Sequence, residues 1–186
     1  MLHSMKKTTT AKKMLQLQAS ILLPLILGAQ ICLADDAFQD GMTAARNRDY
    51  KSAYAILRPL AETGDSRAQY NIGRMYHEGT GIKRDLQQAI SWYRKSAEQG
   101  NSQAQNHMGL LYKKGLGVKL DYQKATDWFY LSAMGGYAWG QFNLGRMYES
   151  ALGVAHDQQL AIKWYRKAAE QGHLSAQEFL SKLQSQ

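Results

Sequence analysis

The histidines and carboxylates are the residues whose chemistry could be catalytic or metal-binding, and their spacing favours neither role. The histidines are spread along the whole chain, at His3, His77, His107, His156 and His173. No two of them have the i, i+4 or short-loop spacing that is typical of zinc sites. The glutamates at 78, 98, 149 and 170 fall at expected helix ends or solvent faces. We therefore predict no metal, no cofactor and no catalytic residue.

A period of 36 residues runs through most of the chain and predicts how the remaining side chains are positioned. The glycines Gly64, Gly100, Gly136 and Gly172 mark it. The same step separates Gly73, Gly109 and Gly145, Tyr76, Tyr112 and Tyr148, Asp85, Asp121 and Asp157, and Trp92, Trp128 and Trp164. A period between about 20 and 50 residues indicates stacked supersecondary units. Because shared residues hold such units together, we expect function in the residues that break the repeat.

Each unit reads as two helices joined by a glycine loop. Residues 66–78 place apolar side chains at helical spacing, and the glycines at 79 and 81 then supply a turn. Asp85 is a good N-cap for a second helix, which Gly100 ends. Gly73 lies within the first helix, where glycine costs about 1 kcal/mol relative to alanine. We expect a neighbouring helix to approach closely at that position.

The repeated residues resemble the Sel1-like repeat (SLR) family, a relative of the tetratricopeptide repeat. The family pattern A-x-x-x-L-G-x-x-Y-x-x-G-x-G-V-x-x-D-x-x-x-A-x-x-W-Y-x-x-A-A-x-x-G is followed at 68–100, 104–136 and 140–172. Departures fall in or next to the third copy, at Gly135, Gly140 and Ala151. The resemblance implies an all-α, right-handed α/α superhelical solenoid that binds other proteins, usually without catalysis.

The order of segments follows from the resemblance and from the N-terminal composition. We expect a signal peptide at 1–34, a tetratricopeptide-like unit at 35–65, SLR repeats at 66–100, 101–136 and 137–172, and a capping helix at 173–186.

The first 34 residues have the composition of a secretory signal peptide. Four lysines precede an apolar run over 19–33, and the small residues Cys32 and Ala34 suggest cleavage after Ala34. The alternatives are an uncleaved anchor, although the run is shorter than the roughly 20 apolar residues of a membrane span, and a lipoprotein, although Cys32 lacks the usual small residue before it. We expect a periplasmic or secreted protein of a Gram-negative-type envelope.

Cleavage would change the charge and the cysteine content. It would remove four of the 23 basic residues, none of the 15 acidic residues and the single cysteine, so the net charge would fall from +8 to +4. The mature chain would be without thiol chemistry. We expect no nucleic-acid partner, no stable membrane insertion after cleavage, and a monomer.

The resemblance also implies where a ligand would bind. In tetratricopeptide-like arrays the concave groove is lined by first-helix positions just outside the shared core. Carried over to this sequence, these are Arg67, Tyr70, Arg74, His77, Asn106, Leu110, Lys113, Trp139, Phe142 and Arg146. Arginine, lysine and aromatic residues commonly anchor peptides and carboxylates. The alternative is that the cations only solvate this face and that the aromatic rings only pack between helices.

The sharpest expectation concerns three cations of this set. Arg74, Lys113 and Arg146 should form one stripe flanked by Tyr70 and Phe142, with Leu110 as an apolar gap between the arginines. Such a stripe would suit an acidic or carboxylate-ended peptide. The sequence therefore predicts an exported, non-enzymatic adaptor that binds a protein segment in its groove. The alternative is an envelope enzyme or accessory that acts on peptidoglycan or a β-lactam.

Overall fold

The described part of the chain is entirely helical. The computed structural model describes residues 33–184, with side chains to residue 182, and these residues contain nine α-helices and no strand. They are α1 (33–46), α2 (Tyr50–Glu62), α3 (Ser66–Glu78), α4 (Leu86–Glu98), α5 (Ser102–Lys114), α6 (Tyr122–Met134), α7 (Ala138–Glu149), α8 (Gln158–Glu170) and α9 (Leu174–Gln184). The predicted all-α class is confirmed. The predicted signal peptide lies outside the described residues, apart from positions 33 and 34.

The helices alternate between two layers. We call α1, α3, α5, α7 and α9 the A helices and α2, α4, α6 and α8 the B helices. The pairs α3–α4, α5–α6 and α7–α8 are repeats 1, 2 and 3. Each helix packs on the helices before and after it in the chain, and α5 also contacts α7. Side chains of successive A helices hydrogen-bond to each other, so the A helices form the inner, concave layer and the B helices the outer, convex one.

Short-range hydrogen bonds fix where the helices begin and end. The predicted caps Asp85, Asp121 and Asp157 each accept a hydrogen bond from a backbone N–H in the first turn of a B helix. Gly79 ends α3 in the left-handed conformation, with φ 75°. Ala151 replaces a loop glycine in repeat 3 and still has φ 52°, a backbone region that residues with a Cβ rarely adopt.

The glycines inside the A helices contact aromatic rings of the B helices. A Cβ added at Gly73 would lie 2.8 Å from the ring of Tyr93, and one added at Gly109 would lie 2.6 Å from Phe129. The third contact, between Gly145 and Tyr165, would be 2.9 Å. The predicted close approach is confirmed, and the neighbour is the B helix of the same repeat.

A glutamine on each A helix after α1 joins that helix to the preceding B helix. Gln69, Gln105, Gln141 and Gln177 each donate to the backbone oxygen eight residues earlier. In repeats 1 and 3 a second glutamine completes this link: Gln99 donates to Gln69 at 2.7 Å, and Gln171 donates to Gln141 at 2.8 Å. In repeat 2 the second glutamine is replaced by Gly135, and the buried Gln105 Oε1 has no partner among the described residues.

Restoring the missing amide should stabilise the protein. Gly135 has φ −72°, which any residue adopts, and an added Cβ would lie 3.0 Å from Ser102 Cβ, so Ser102 must move slightly. Gly135→Gln should raise the free energy of unfolding by about 1–2 kcal/mol, because it satisfies Gln105 and restricts the unfolded chain. Urea unfolding measures this change. Gly135→Ala supplies the backbone effect alone, and equal stability of the two variants would contradict the hydrogen bond.

Candidate functional site

Side chains on the inner face are paired at a step of 37 residues, from one A helix to the next. Tyr70 on α3 hydrogen-bonds to His107 on α5, with 3.3 Å between Oη and Nε2. Asn143 on α7 donates to Asn106 on α5 at 2.8 Å. These pairs form the floor of the groove between α3, α5 and α7. The step is 37 rather than 36 residues because the partners lie at neighbouring positions of the repeat.

The first aromatic cluster consists of Tyr70, His77 and Tyr93 of repeat 1 together with His107 of repeat 2. The ring of Tyr93 stacks on His107 with 4.9 Å between centroids and an interplanar angle of 14°. Tyr70 lies against both rings, and His77 meets them at steep angles. Tyr70 is buried, with 7% of its surface exposed, and burial raises its pKa to about 12.

The second aromatic cluster lies 72 residues further along the chain and consists of Trp139, Phe142, Tyr165, His173 and Phe179. His173 stacks on Phe142 and meets Trp139 edge-on, each at 4.4 Å between centroids. Tyr165 lies against Phe142 and Phe179. Trp139 remains 54% exposed. This cluster therefore offers an accessible indole ring, whereas the position equivalent to Trp139 in repeat 1 is Arg67.

Two of the predicted arginines are neutralised within the protein. Arg67 pairs with Asp35 at 2.7 Å and with Asp65 at 2.9 Å, and its guanidinium lies 4.3 Å from the centroid of the Phe38 ring. Arg74 pairs with Glu78 at 3.0 Å, one helical turn further along α3. It also lines a cavity of about 240 Å³ between α1 and α3. Both cations are available to a ligand only in competition with these carboxylates.

Lys113 and Arg146 have no such neutralisation. Within the described residues neither side chain has a hydrogen-bond or ion-pair partner. The residue that corresponds to Glu78 in repeat 3 is Ser150, so Arg146 lacks the acid that Arg74 has. The nearby Glu149 accepts a hydrogen bond from Tyr165 at 2.7 Å instead. Burial, followed by the charges of Arg146 and Lys114, lowers the pKa of Lys113.

The structure divides the predicted stripe into two parts. Lys113 and Arg146 are close enough to affect each other electrostatically, whereas Arg74 is grouped with Tyr70 and Glu78. Leu110 is half-buried and packs on the core beside Phe129, Leu144 and Met147. Asn106 is buried and belongs to the floor of the groove.

Several inner-face residues were not anticipated from the sequence: Tyr93, His107, Tyr165 and His173. Tyr93 and Tyr165 are the tyrosines of the Trp-Tyr pair in the repeat pattern. The pattern alone suggests only that these tyrosines pack in the core. The pairing of Tyr70 with His107 could have been found by comparing positions 37 residues apart. Burial lowers the pKa of all three inner histidines, and the pKa of His107 falls to about 4.

The described helices form an α/α solenoid of stacked helical hairpins. Three consecutive segments match the Sel1 repeat, at 66–101, 102–137 and 140–173. Together they cover more than half of the chain, which therefore belongs to the Sel1 repeat family. No curated protein matches the sequence.

Solved structures have the same architecture. A Sel1 repeat protein from Oxalobacter formigenes is 33% identical with a TM-score of 0.75, over 80% of this chain and 62% of that one. A protective antigen of uropathogenic Escherichia coli strains, which displays an SLR fold, is 36% identical with a TM-score of 0.72, over 77% of this chain and 32% of that one. The chain thus spans less than two thirds of the length of either protein. Helicobacter pylori cysteine rich protein B, 18% identical with a TM-score of 0.55, shows the fold alone.

Family membership supports a general role. Sel1 repeat proteins generally mediate protein–protein interactions, are typically non-catalytic scaffolds, and are often exported by bacteria. None of the helices described here is long and apolar enough to cross a membrane. Across residues 33–182, no group of three or more histidine, cysteine, aspartate or glutamate side chains is arranged to hold a metal ion.

The low pKa of His107 makes stability depend on pH. The unfolded state takes up a proton near pH 6.5, whereas the folded state does so only near pH 4, so stability falls as the pH drops through this window. The loss due to His107 is about 3 kcal/mol. His107→Asn introduces the residue that is found at the equivalent positions 71 and 143. It should reduce the difference in stability between pH 7.5 and pH 4.5 by about 2 kcal/mol.

Urea unfolding at both pH values tests this prediction. The matched control is His156→Asn, at an exposed loop position, which should retain the wild-type difference. The assignment to His107 fails if both asparagine variants lose as much stability on acidification as the wild type.

Proposed function

We propose that this protein is an exported, non-enzymatic adaptor that binds an acidic segment of a partner protein on its concave face. The observation that carries the proposal is the pair of unneutralised cations, Lys113 and Arg146. They lie on successive A helices and influence each other electrostatically. A carboxylate is the simplest group that would neutralise both.

The energetics of this pair favour a ligand. Half-buried Lys113 loses hydration and is also repelled by the charge of the exposed Arg146, and both effects lower the pKa of Lys113. Repeat 1 resolves the same problem with Glu78 beside Arg74. Repeat 3 has Ser150 at that position, so the counter-charge can come from a bound molecule. Charge-assisted hydrogen bonds to such a carboxylate would be among the stronger polar contacts available.

The neighbouring aromatic surface suggests what lies next to the carboxylate. Arg146 and Phe142 occupy adjacent turns of the same face of α7, and Trp139 is a further turn away. Phe142 is half-buried and Trp139 is largely exposed. Tryptophan and arginine are the residues that most often dominate protein interfaces. We infer a segment in which an acidic residue or a C-terminal carboxylate lies near an apolar side chain.

The remaining properties of the adaptor follow from the sequence. Export and cleavage after Ala34 would leave a monomeric protein without stable membrane insertion. Its partner would be a protein and not a nucleic acid, because the mature net charge of +4 is modest. The groove residues that we assign to binding are, in order along the chain, Arg67, Tyr70, Arg74, His77, Asn106, Leu110, Lys113, Trp139, Phe142 and Arg146. Lys113 and Arg146 would contact the carboxylate directly.

Reversing the two cations should reduce the capture of acidic peptides. The probe is a fluorescein-labelled decapeptide of alternating glutamate and leucine with a free C-terminus, and its binding is followed by fluorescence anisotropy. We expect Lys113→Glu/Arg146→Glu to weaken binding at least tenfold, since each charge-assisted contact is worth about 1.5–3 kcal/mol where the bound peptide excludes water, and less where it stays exposed. Higher salt should weaken the wild-type interaction as well.

Matched controls separate the groove from general surface charge. Lys163→Glu/Arg166→Glu makes the same charge change on the exposed face of α8 and should leave affinity within a factor of about three. A glutamine–leucine peptide should bind the wild type weakly. Equal affinity of the folded groove variant and the wild type would show that the acidic peptide binds elsewhere.

A further inference from the structure

The outward positions of the B helices differ in one repeat. The compared positions are Arg58, Pro59 and Glu62 on α2, Arg94, Lys95 and Glu98 on α4, Tyr130, Leu131 and Met134 on α6, and Arg166, Lys167 and Glu170 on α8. Repeats 1 and 3 thus carry arginine, lysine and glutamate, whereas repeat 2 carries three apolar or amphipathic residues. We call Tyr130, Leu131 and Met134 the outer patch.

The outer patch is exposed, and packing of the repeat does not require it to be apolar. Its residues are 47%, 45% and 61% exposed, in chain order. The same backbone positions carry charged side chains in the neighbouring repeats, so the fold does not require apolar residues there. An exposed cluster of large apolar side chains is a typical sign of an interaction surface.

The tryptophan beneath the patch, Trp128, is more exposed than the equivalent tryptophans of repeats 1 and 3. Lys95 lies over the ring of Trp92 at 4.4 Å, and Lys167 lies over Trp164 at 4.8 Å. Both of these tryptophans are buried. Leu131 replaces the lysine in repeat 2, and Trp128 is only half-buried. The indole therefore adds to the apolar surface and provides a spectroscopic probe beside it.

Cations flank the patch on both sides. The exposed basic residues of the outer face are Arg94 and Lys95 on α4, and Lys163, Arg166 and Lys167 on α8. Lys124 on α6 is also exposed, but it pairs with Asp121 at 3.4 Å. The exposed acidic residues of these three helices are Glu98, Asp127 and Glu170. The outer face of the three repeats is thus apolar at its centre and net positive around it.

We propose that the outer patch docks the protein on the surface of an anionic lipid bilayer. The patch is on α6, the middle B helix of the three repeats, so it is where a convex face would first touch a plane. Tyrosine, leucine and methionine can enter the boundary between headgroups and acyl chains, and the flanking cations attract anionic headgroups. A second copy of the chain fits less well, because two positive faces would meet. The concave groove stays open on the opposite side of the molecule.

The test uses the full chain and vesicles of phosphatidylglycerol whose acyl chains carry bromine, which quenches nearby tryptophan. The decisive variant is Tyr130→Arg/Leu131→Lys/Met134→Glu, which gives α6 the residues of α4 and α8 and should therefore fold. We expect wild-type fluorescence to be quenched and the variant to lose at least half of this quenching, although its net charge is higher by one. Trp128→Phe should likewise remove most of the wild-type signal.

Controls tie the result to this face. Brominated phosphatidylcholine vesicles should quench the wild type at least fivefold less, and Leu174→Lys, at an exposed apolar residue on α9, should be quenched like the wild type. Equal quenching of the wild type and the triple variant overturns the proposal. A wild-type dimer in sedimentation experiments that the triple substitution abolishes, without vesicle quenching, would assign the patch to a second copy and would also overturn it.

Discussion

The contact between an A-helix glycine and a B-helix aromatic ring determines much of this structure. A side chain at Gly73 would collide with Tyr93, so the ring can lie against α3 only where the backbone is bare. The same ring stacks on His107 at the inner face. One aromatic residue thus holds a repeat together and forms part of the groove floor. Repeat 2 differs at both contacts. The ring there is Phe129, and the groove floor is formed by the hydrogen-bonded pair Asn106 and Asn143.

Polar groups without a partner inside the protein lie where the sequence departs from the repeat. Where the repeat is complete, its polar groups are satisfied internally, as with Arg74 and Glu78 or Gln99 and Gln69. Where one residue of such a pair is replaced, the other has no partner inside the described protein, as with Arg146, which has Ser150 in place of a glutamate. Natural sequences depart from local consistency mainly at functional or strained sites. Comparing equivalent positions is therefore more informative here than examining each residue by itself.

Local chemistry made most of the fold predictable. Helix-capping aspartates such as Asp85 and left-handed glycines such as Gly79 act within a few residues, so sequence spacing locates them. Repeat spacing also predicted that Lys113 and Arg146 share one face, but it does not encode which cations lie within electrostatic range of each other. The ion pair of Arg74 likewise depends on which rotamers the packed neighbours leave open. The sequence thus identified the helix positions that carry the candidate site but not which cations remain unpaired.

The junction between α6 and α7, which lies beside the cation pair, contains two departures from the repeat, Gly135 and Gly140. Gly135 removes an amide that would satisfy Gln105, and Gly140 lets α7 approach α6 so closely that an added Cβ would collide with Ser132. The first change leaves a hydrogen bond within repeat 2 unmade, and the second allows the backbones of α6 and α7 to approach closely. Because a solenoid is held together by contacts between neighbouring units, the contact at Gly140 affects how repeat 3 packs on repeat 2. Lys113 and Arg146 lie on either side of this junction, so under the proposed function we expect its packing to influence which acidic ligand the groove accepts.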